Sequence, residues 1–328
     1  MLRQLQADDA ATALGLVLRH LAASGYRFTA PTPLTHQRVL THHGTQMAAT
    51  LRDVFGWNLP FKIATCDGMT RELLAAMHGA GVLQTRDDAL QSGVRVASIG
   101  DDLFVHSAYP TAQDDAVFFG PDTYRFARFI QHGVADLQST NDQPMRLLDV
   151  GCGSGAGGII AARTLSHLGS LEVHMNDINP LALRYTAINA HFAGIAIKPA
   201  LGNALRAVKG DFDLIISNPP YLDDAAQRAY RHGGARLGRA LSVQIGEESL
   251  ARLAPGGRLL LYTGVAIMKG VDGFLADMQP LLKGAQFDWS YAEIDPDVFG
   301  EELEQPVYKH ADRIAAVGLT VTRKPGAL

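Results

Sequence analysis

From Met145 onward the sequence alternates between short apolar runs and segments with helical spacing, and this alternation limits the fold more than any other feature. Runs such as MRLLDV (145–150) and FDLIIS (212–217) have the length and composition of buried strands. The segment 180–194 between them has the apolar spacing of a helix. Strands that alternate with helices form parallel sheets, because parallel neighbours need a crossover connection. We therefore predict an α/β fold with a doubly wound, Rossmann-like sheet.

Seven apolar runs are predicted as the strands of this sheet, and they lie at 145–150, 171–177, 197–203, 212–217, 258–265, 287–294 and 313–324. Each of the first four is followed by a turn, a loop or a helical segment, as doubly wound sheets require. The last two runs have no helical segment between them. We therefore expect them to pair antiparallel at one edge of the sheet.

The first half of the chain has a different pattern, in which the apolar residues have helical spacing. Examples are Leu14, Leu18 and Leu21, and in the next segment Val39, Met47, Leu51 and Val54. The run 95–109 has two apolar segments on either side of Gly100, which predicts a β-hairpin. We therefore predict a smaller, mainly helical domain at 1–112 that ends in a hairpin, followed by the sheet domain at 113–328.

The composition limits what the whole chain binds. Its formal net charge of -4 and pI of about 6.3 give it no general affinity for nucleic acid, although a local basic face is compatible with them. Cys66 and Cys152 lack redox or ligand spacing, which predicts no disulfide framework and agrees with a reducing cytoplasm. The chain has no apolar run of about 18 residues and no signal-peptide pattern, so we expect a cytoplasmic protein without membrane contact.

A glycine-rich turn follows the first predicted strand, with Gly151, Gly153 and Gly155 at alternate positions. Glycines at the carboxyl end of a strand permit a tight turn and a close approach of the backbone to a ligand. The next strand ends at Asp177, where an acidic residue is well placed to bind ribose hydroxyls. A packing turn with a surface aspartate is the alternative. A glycine turn after one strand and an aspartate at the end of the next favour a nucleotide-like cofactor over this alternative. A dinucleotide site is disfavoured, because its third glycine comes one residue later.

The tetrapeptide Asn218–Tyr221, the NPPY motif, closes the strand 212–217. Its two prolines fix the backbone and supply no N–H donors. The motif therefore presents backbone carbonyls and the Asn218 side-chain oxygen as rigid acceptors, which suit an –NH2 group. Tyr221 offers an aromatic face to a planar amide or base. A rigid turn without chemistry is the alternative, and the position beside a cofactor-like turn argues against it.

Asp149 and the three glycines form the pattern D-x-G-x-G-x-G, which resembles the cofactor motif of class I S-adenosylmethionine-dependent methyltransferases. With FDLIISNPPY, the region from about 115 to 325 resembles the NPPY, or small-domain, group of that family. It is most similar to HemK-type enzymes, which methylate a glutamine side chain of peptide-chain release factors. Their Arg-Pro-Glu/Asp-Thr-Glu segment matches Pro121, Asp122 and Thr123 but not Gly120 and Tyr124, and the glycine-containing loop 232–241 is a weaker match.

The resemblance implies methyl transfer from S-adenosylmethionine to a planar nitrogen. It assigns cofactor binding to Asp149, Gly151, Gly153, Gly155, Asp177, Ile178, Asn203 and Asn218. It assigns the transfer step to Asn218, Pro219, Pro220 and Tyr221. Asn203 stands where such enzymes often have an acidic residue near the adenine, and its amide can still hydrogen-bond the adenine edge.

The acceptor is less constrained than the cofactor. A protein glutamine amide, with a release factor as partner, is the favoured interpretation because of Pro121, Asp122 and Thr123. The NPPY group also contains enzymes that methylate adenine or guanine amines in RNA or DNA, and such a base would be flipped into the pocket. A small-molecule acceptor and a non-catalytic cofactor-binding module are further alternatives.

Three polar segments remain without an assigned chemistry. His36, His42 and His43 have no cysteine or carboxylate at ligand spacing, so we predict no metal and expect them at the surface or at helix caps. The loop between the last two strands is expected to be solvated or to form a lid, and its glutamates are Glu301, Glu302 and Glu304. A basic stretch follows the NPPY motif and consists of Arg228, Arg231, His232, Arg236 and Arg239. Contact with phosphates, contact with an acidic protein surface and a solvated face are its three interpretations.

Overall fold

In the computed structural model, the described residues of the N-terminal part form four α-helices, one short 3-10 helix (Ile63–Thr65) and two hairpins. Its elements are α1 (Leu2–Ala23), α2 (Pro33–His43), α3 (Leu51–Phe55), α4 (Arg71–Gly79), β1 (Leu83–Arg86), β2 (Ala89–Ser92), β3 (Val94–Ile99) and β4 (Asp102–Ser107). The structure describes residues 2–44, 46–111, 113–138, 143–224, 228 and 230–326. Ala112, at the predicted domain boundary, lies outside these residues, and the division of the chain stays a prediction.

The N-terminal elements agree with the sequence in part. The hairpin around Gly100 is present, with Ile99 paired to Asp102. The prediction of one continuous helical segment through Met47 is wrong. Helix α2 ends before Gly44, which has φ +59°, and α3 begins only at a capping box formed by Thr50 and Asp53. The hairpin β1–β2 was not predicted, since its sequence LQTRDDALQS has little apolar alternation.

The second part is the predicted sheet, flanked by helices. It contains α5 (Pro121–Gly133), β5 (Met145–Val150), α6 (Ala156–Thr164), β6 (Leu171–Asp177), α7 (Pro180–Ala193), β7 (Ile197–Leu201), β8 (Phe212–Ser217), α8 (Ala240–Leu250), β9 (Leu253–Met268), β10 (Val271–Asp272), α9 (Gly273–Leu282), β11 (Phe287–Asp295) and β12 (Arg313–Arg323). Seven strands run in the order β11-β12-β9-β8-β5-β6-β7, and the two-residue β10 pairs with β9. The predicted α/β class and the antiparallel pair at the edge are confirmed.

The strand order creates a crevice at the centre of the sheet. Strands β6 and β7 lie on one side of β5, and β8 lies on its other side. Each of these strands is parallel to its neighbour. Ligands bind outside the carboxyl ends of the strands at such a switch point. Val150 pairs with Ser217 and with Asn176, so the ends of β5, β6 and β8 lie side by side.

The N-terminal part packs on the same side of the sheet as α7. Asn189 of α7 accepts a hydrogen bond from the Val105 backbone N–H at 2.9 Å and donates one to the Val105 carbonyl at 3.1 Å. Tyr124 of α5 accepts a hydrogen bond from the Ala30 backbone N–H at 2.9 Å. Tyr124 departs from the HemK-type pattern, and this contact gives the departure a structural role.

One helix was not predicted from the sequence, and one further expectation is corrected by the structure. Helix α9 was not predicted between β9 and β11, and Pro280 lies inside it. His36, expected at the surface or at a cap, is fully buried, and its ring lies 4.2 Å from that of Tyr109. Within the described ranges, none of the helices has the length and apolar character of a membrane span.

Candidate active site

The glycine turn after β5 holds its shape through left-handed backbone conformations. Gly151, Gly153 and Gly155 have φ of +69°, +55° and +79°, a region that other residues rarely adopt. A Cβ at Gly151 or Gly153 would meet no atom within 4 Å, so the turn borders open space there. The Gly151 N–H donates to the Asn176 carbonyl at 2.9 Å, which fastens the turn to the end of β6.

Asp149, predicted to bind the cofactor, lies below this turn and supports it. Its side chain is 1% exposed, and Oδ2 accepts a hydrogen bond from the Gly158 N–H at 2.7 Å. A Cβ at Gly158 would lie 3.2 Å from the same oxygen, so glycine lets α6 approach the carboxyl closely. Burial raises the pKa of Asp149 to about 7. Asp149 also lines the cavity described below.

Replacing Asp149 with asparagine is expected to flatten the dependence of stability on pH. The unfolded carboxyl ionises near its ordinary pKa of 3.8, whereas the folded one keeps its proton to about pH 7. The unfolded state therefore binds fewer protons between these values, and the free energy of unfolding falls as pH rises, by about 1.4 kcal/mol per pH unit for one proton. Asparagine keeps an oxygen for the Gly158 N–H.

Urea unfolding at several values between pH 4 and pH 8 measures this effect. The difference in free energy of unfolding, Asp149→Asn minus wild type, is expected to rise with pH up to about pH 7 and to stay constant above that value. Parallel stability curves for the two proteins would contradict the assignment. Asp177→Asn is a second variant of the same kind. Burial raises the pKa of that carboxyl too, so the stability difference from the wild type should change with pH in the same direction.

Asp177 lies at the end of β6 with its carboxylate fixed by the backbone. Oδ2 accepts from the Gly153 N–H at 2.9 Å, and Oδ1 accepts from the Asn179 N–H at 2.8 Å. A carboxylate has about four acceptor positions, so further positions stay open for ligand hydroxyls. Ile178, 60% exposed, and Asn203, also exposed, line the same cavity. The residues predicted for the cofactor are therefore brought together.

Asn176 is a cavity residue that the sequence analysis missed. It is fully buried, and its amide nitrogen donates to the carbonyls of Gly202, at 3.2 Å, and Ala204. Its Oδ1 has no partner among the described residues. A buried acceptor without a partner is costly, so a donor group of a bound ligand fits this position. The signal in the sequence is a polar residue near the end of the apolar run LEVHMND.

The NPPY motif lies beside the glycine turn because β8 lies beside β5. Ser217 Oγ donates to the Val150 carbonyl at 2.8 Å, and Asn218 is the next residue. All four motif residues line one cavity of about 430 Å³ together with Gly151 and Gly153 of the glycine turn, whereas Gly155 packs against Thr186. A Cβ at Gly233 would lie 2.6 Å from the Pro220 carbonyl oxygen, so that glycine lets the loop 232–241 press against the motif.

A hydrogen bond to the buried carboxyl of Asp122 fixes the hydroxyl of Tyr221. The phenol donates to Asp122 Oδ2, while Tyr262 donates to Oδ1 at 2.8 Å and Arg125 Nη1 lies 3.1 Å from Oδ1. The Tyr221 side chain is 7% exposed, and it packs against the backbone at Gly264, where a Cβ would overlap the ring. Burial raises the pKa of Asp122, against the opposing effects of these donors. The Pro121-Asp122-Thr123 segment therefore supports the NPPY motif.

The four arginines of the basic stretch after the motif are paired within the protein, whereas His232 Nδ1 is buried without a hydrogen-bond partner among the described residues. Arg228 Nε lies 2.9 Å from Asp224 Oδ2, and Arg231 forms an ion pair with Glu302. The remaining pairs join Arg236 and Arg239 to Asp277, at 3.3 and 2.9 Å. Four arginines thus face three carboxylates, which favours a structural role over contact with phosphates. The expectation of a solvated loop is wrong for Glu302, whose side chain is 13% exposed.

No group of three histidine, cysteine, aspartate or glutamate side chains within the described ranges is arranged to hold a metal ion. His42 and His43 lie in the last turn of α2. Cys152 is buried in the glycine turn, with its sulfur 3.4 Å from Thr186 Oγ1, and burial raises its pKa. Its position in the turn is therefore that of a packing residue.

Comparison with known proteins identifies the region around this cavity. Residues 134–264 match the family model described as "Methyltransferase small domain". The chain is 34% identical over 158 residues to a release factor glutamine methyltransferase of Deinococcus radiodurans, an alignment that covers 43% of this chain and 55% of that protein. It is 37% identical over 157 residues to a ribosomal RNA small subunit methyltransferase C of Pasteurella multocida, covering 46% and 42%. The chain spans about half the length of the curated relatives it matches. The predicted resemblance to the small-domain methyltransferases is confirmed for residues 134–264.

Proposed function

We propose that this chain, whose residues 134–264 match the methyltransferase small domain family model, transfers a methyl group from S-adenosylmethionine to the side-chain amide of a protein glutamine. One observation carries the proposal. The pairing of Val150 with Ser217 brings the glycine turn and Asn218 to adjacent positions at the rim of one cavity. A cofactor site and a site for a planar nitrogen thereby share one space.

The residues on the cofactor side suit a nucleoside joined to an amino acid. Asp177 offers acceptor positions to ribose hydroxyls, and Asn176 Oδ1 offers a buried acceptor to a further donor. Ile178 and Asn203 provide an apolar contact and an amide for the base. Asp149 supports the turn from below, and the open space at Gly151 and Gly153 leaves room for the amino-acid part. When bound, the cofactor supplies a methyl group on a sulfonium, which is already a good leaving group.

The residues on the acceptor side hold and orient the nitrogen. Asn218 Oδ1 and the rigid carbonyls of the motif accept hydrogen bonds from an –NH2 group and leave its lone pair free. These dipoles also stabilise the positive charge that develops on the nitrogen during transfer. The Tyr221 hydroxyl carries its own proton and directs it at Asp122, so we assign it no role as a base. Transfer therefore depends mainly on proximity and alignment, and the product loses its proton to solvent afterwards.

Two observations support a protein amide as the acceptor. The arginines after the NPPY motif are paired with Asp224, Glu302 and Asp277, so they leave little net positive charge for a phosphate backbone. Relatives named release factor glutamine methyltransferase include those of Deinococcus radiodurans and Rhodospirillum rubrum, at 34% and 32% identity. A peptide-chain release factor is accordingly the partner we propose.

A base in RNA is the second candidate, and a specific feature favours it. Aromatic side chains line the cavity beyond the NPPY motif, namely Tyr109, Phe118, Tyr230 and Phe299. Such rings stack on unpaired bases. The relative from Pasteurella multocida carries the name of a ribosomal RNA methyltransferase.

Isotope-labelled S-adenosylmethionine distinguishes the two candidates. We expect label in a full-length release factor, and none in the same factor with its acceptor glutamine replaced by alanine. Small-subunit ribosomal RNA serves as the parallel substrate. Label in the RNA alone would overturn the protein-amide proposal. Calorimetric binding of the cofactor without label in either substrate would favour a small-molecule acceptor or a non-catalytic module.

A further inference from the structure

The segment from Asp295 to Glu304, which we name the 295–304 loop, borders the cavity at the NPPY motif. It begins at the last residue of β11 and ends in a short 3-10 helix, Gly300–Glu304. The sequence suggested a solvated acidic loop or a lid. Phe299 lines the cavity, and its ring centroid lies 6.0 Å from that of Tyr221. The loop is therefore part of the acceptor side rather than a remote connection.

Two ion pairs fasten this loop on either side of Phe299. Asp295 Oδ2 lies 2.7 Å from Arg125 Nη2, and Arg125 also contacts Asp122, the carboxyl that holds Tyr221. Glu302 pairs with Arg231, and both side chains are less than one-fifth exposed. Half-buried pairs with a shared network are worth more than isolated surface pairs, because solvent screens them less. The loop is thus tied through Arg125 to Asp122, which holds Tyr221, and through Glu302 to Arg231, which also lines the cavity.

The backbone at Phe299 is in a conformation that a bulky residue rarely adopts. Its φ is +52° and its ψ +44°, in the left-handed region. Hydrogen bonds on both sides maintain it, from the Val298 N–H to the Ile314 carbonyl and from the Glu302 N–H to the Phe299 carbonyl, each at 2.8 Å. Residues held in such conformations cluster at ligand sites. Glycine would adopt this backbone conformation more readily, so we infer that the aromatic ring of Phe299 has a role of its own.

We propose that Phe299 is a specificity-determining residue that forms an apolar wall of the acceptor slot, with the ion pairs of Asp295 and Glu302 holding the ring in place. The inference rests on the proposed function, and it adds to that function the chemical class of the group that the acceptor slot admits. A ring here removes water from the nitrogen held by Asn218 and favours a neutral, planar group. The nearby carboxyl of Asp122 is already satisfied by three donors, so a cationic amine would lack a partner.

Kinetics of Phe299→Ala and Phe299→Gly with the release factor test the wall. We expect the KM for the acceptor to rise about tenfold or more in both, as loss of pocket contacts predicts. The Kd for S-adenosylmethionine should stay within about twofold of the wild-type value, since Phe299 lies by the NPPY motif and not by Asp177. Phe299→Gly should melt no lower than Phe299→Ala, because glycine accepts the positive φ. Trp289→Ala, which removes a 41% exposed ring of β11, is the control without effect.

The ion pair is tested by two matched variants of the same loop. Glu302→Gln removes the partner of Arg231, whereas Glu304→Gln removes an equal charge from an exposed glutamate for which the described residues provide no ion-pair partner. We expect the acceptor KM to rise in Glu302→Gln and to stay unchanged in Glu304→Gln. Equal shifts in both would overturn the role of the ion pair and indicate a general charge effect. An unchanged acceptor KM in Phe299→Ala would overturn the wall. Failure of the wild type to methylate either substrate would defeat the proposed function itself.

Discussion

Replacement of Asn218 by alanine is expected to lower the rate of methyl transfer by about 10²–10³-fold, the effect of removing one polar group that stabilises a transition state. The side chain of Asn218 makes no hydrogen bond to another described residue, and it lines the cavity. Its loss therefore leaves the fold intact and removes an acceptor for the –NH2 group. Binding of S-adenosylmethionine is expected to survive, because the glycine turn, Asp177 and Asn176 remain.

Single-turnover transfer of label and calorimetric cofactor binding measure the two expectations separately. Asn203→Ala is the matched control, since it removes the same side chain from the cofactor side of the same cavity. It should weaken cofactor binding and leave the rate at saturating cofactor close to that of the wild type. A wild-type rate in Asn218→Ala would show that the NPPY motif is only a rigid turn. An equal loss of cofactor affinity in both variants would assign Asn218 to the cofactor instead.

The sheet could be predicted from the sequence because its strands are contiguous apolar runs. FDLIIS and MRLLDV have the length and composition of strands buried in a parallel sheet, and the NPPY motif and the glycines follow them directly. Helix α9 could not be predicted in the same way. Pro280 and Gly273 are both disfavoured in helices, and packing of Phe274 and Met278 against the sheet outweighs these propensities.

The support of the site was beyond the reach of local patterns, because it consists of contacts between distant segments. Tyr221 and Asp122 are 99 residues apart, and Arg231 and Glu302 are 71 apart. The sequence showed a proline-aspartate-threonine segment, a basic stretch and an acidic loop, but not that they pair. Asp149 shows a different limit, since its partner Gly158 is only nine residues away and yet its place in the motif did not reveal that its carboxyl supports α6.

Asp122→Ala is expected to destabilise the protein by about 3–5 kcal/mol, the usual cost of removing one partner from a buried charged cluster. Asp122 is 6% exposed, and its loss leaves the hydroxyls of Tyr221 and Tyr262 without their acceptor, while Arg125 keeps only Asp295. Urea unfolding measures the change. Methyl transfer should fall as well, through a lower kcat, because Tyr221 closes the NPPY motif and is no longer held.

Tyr262→Phe separates the effect on stability from the effect on the site. It removes one donor to Asp122 and leaves the Tyr221 hydrogen bond in place, so we expect a loss of about 1–2 kcal/mol and a kcat close to that of the wild type. Asp122→Asn keeps an oxygen for Tyr221 and should fall between the two in both measurements. If Tyr262→Phe lowered kcat as much as Asp122→Ala, Asp122 would act through the packing of β9 rather than through Tyr221. If Asp122→Ala kept the wild-type kcat while losing stability, the Pro121-Asp122-Thr123 segment would support the fold alone.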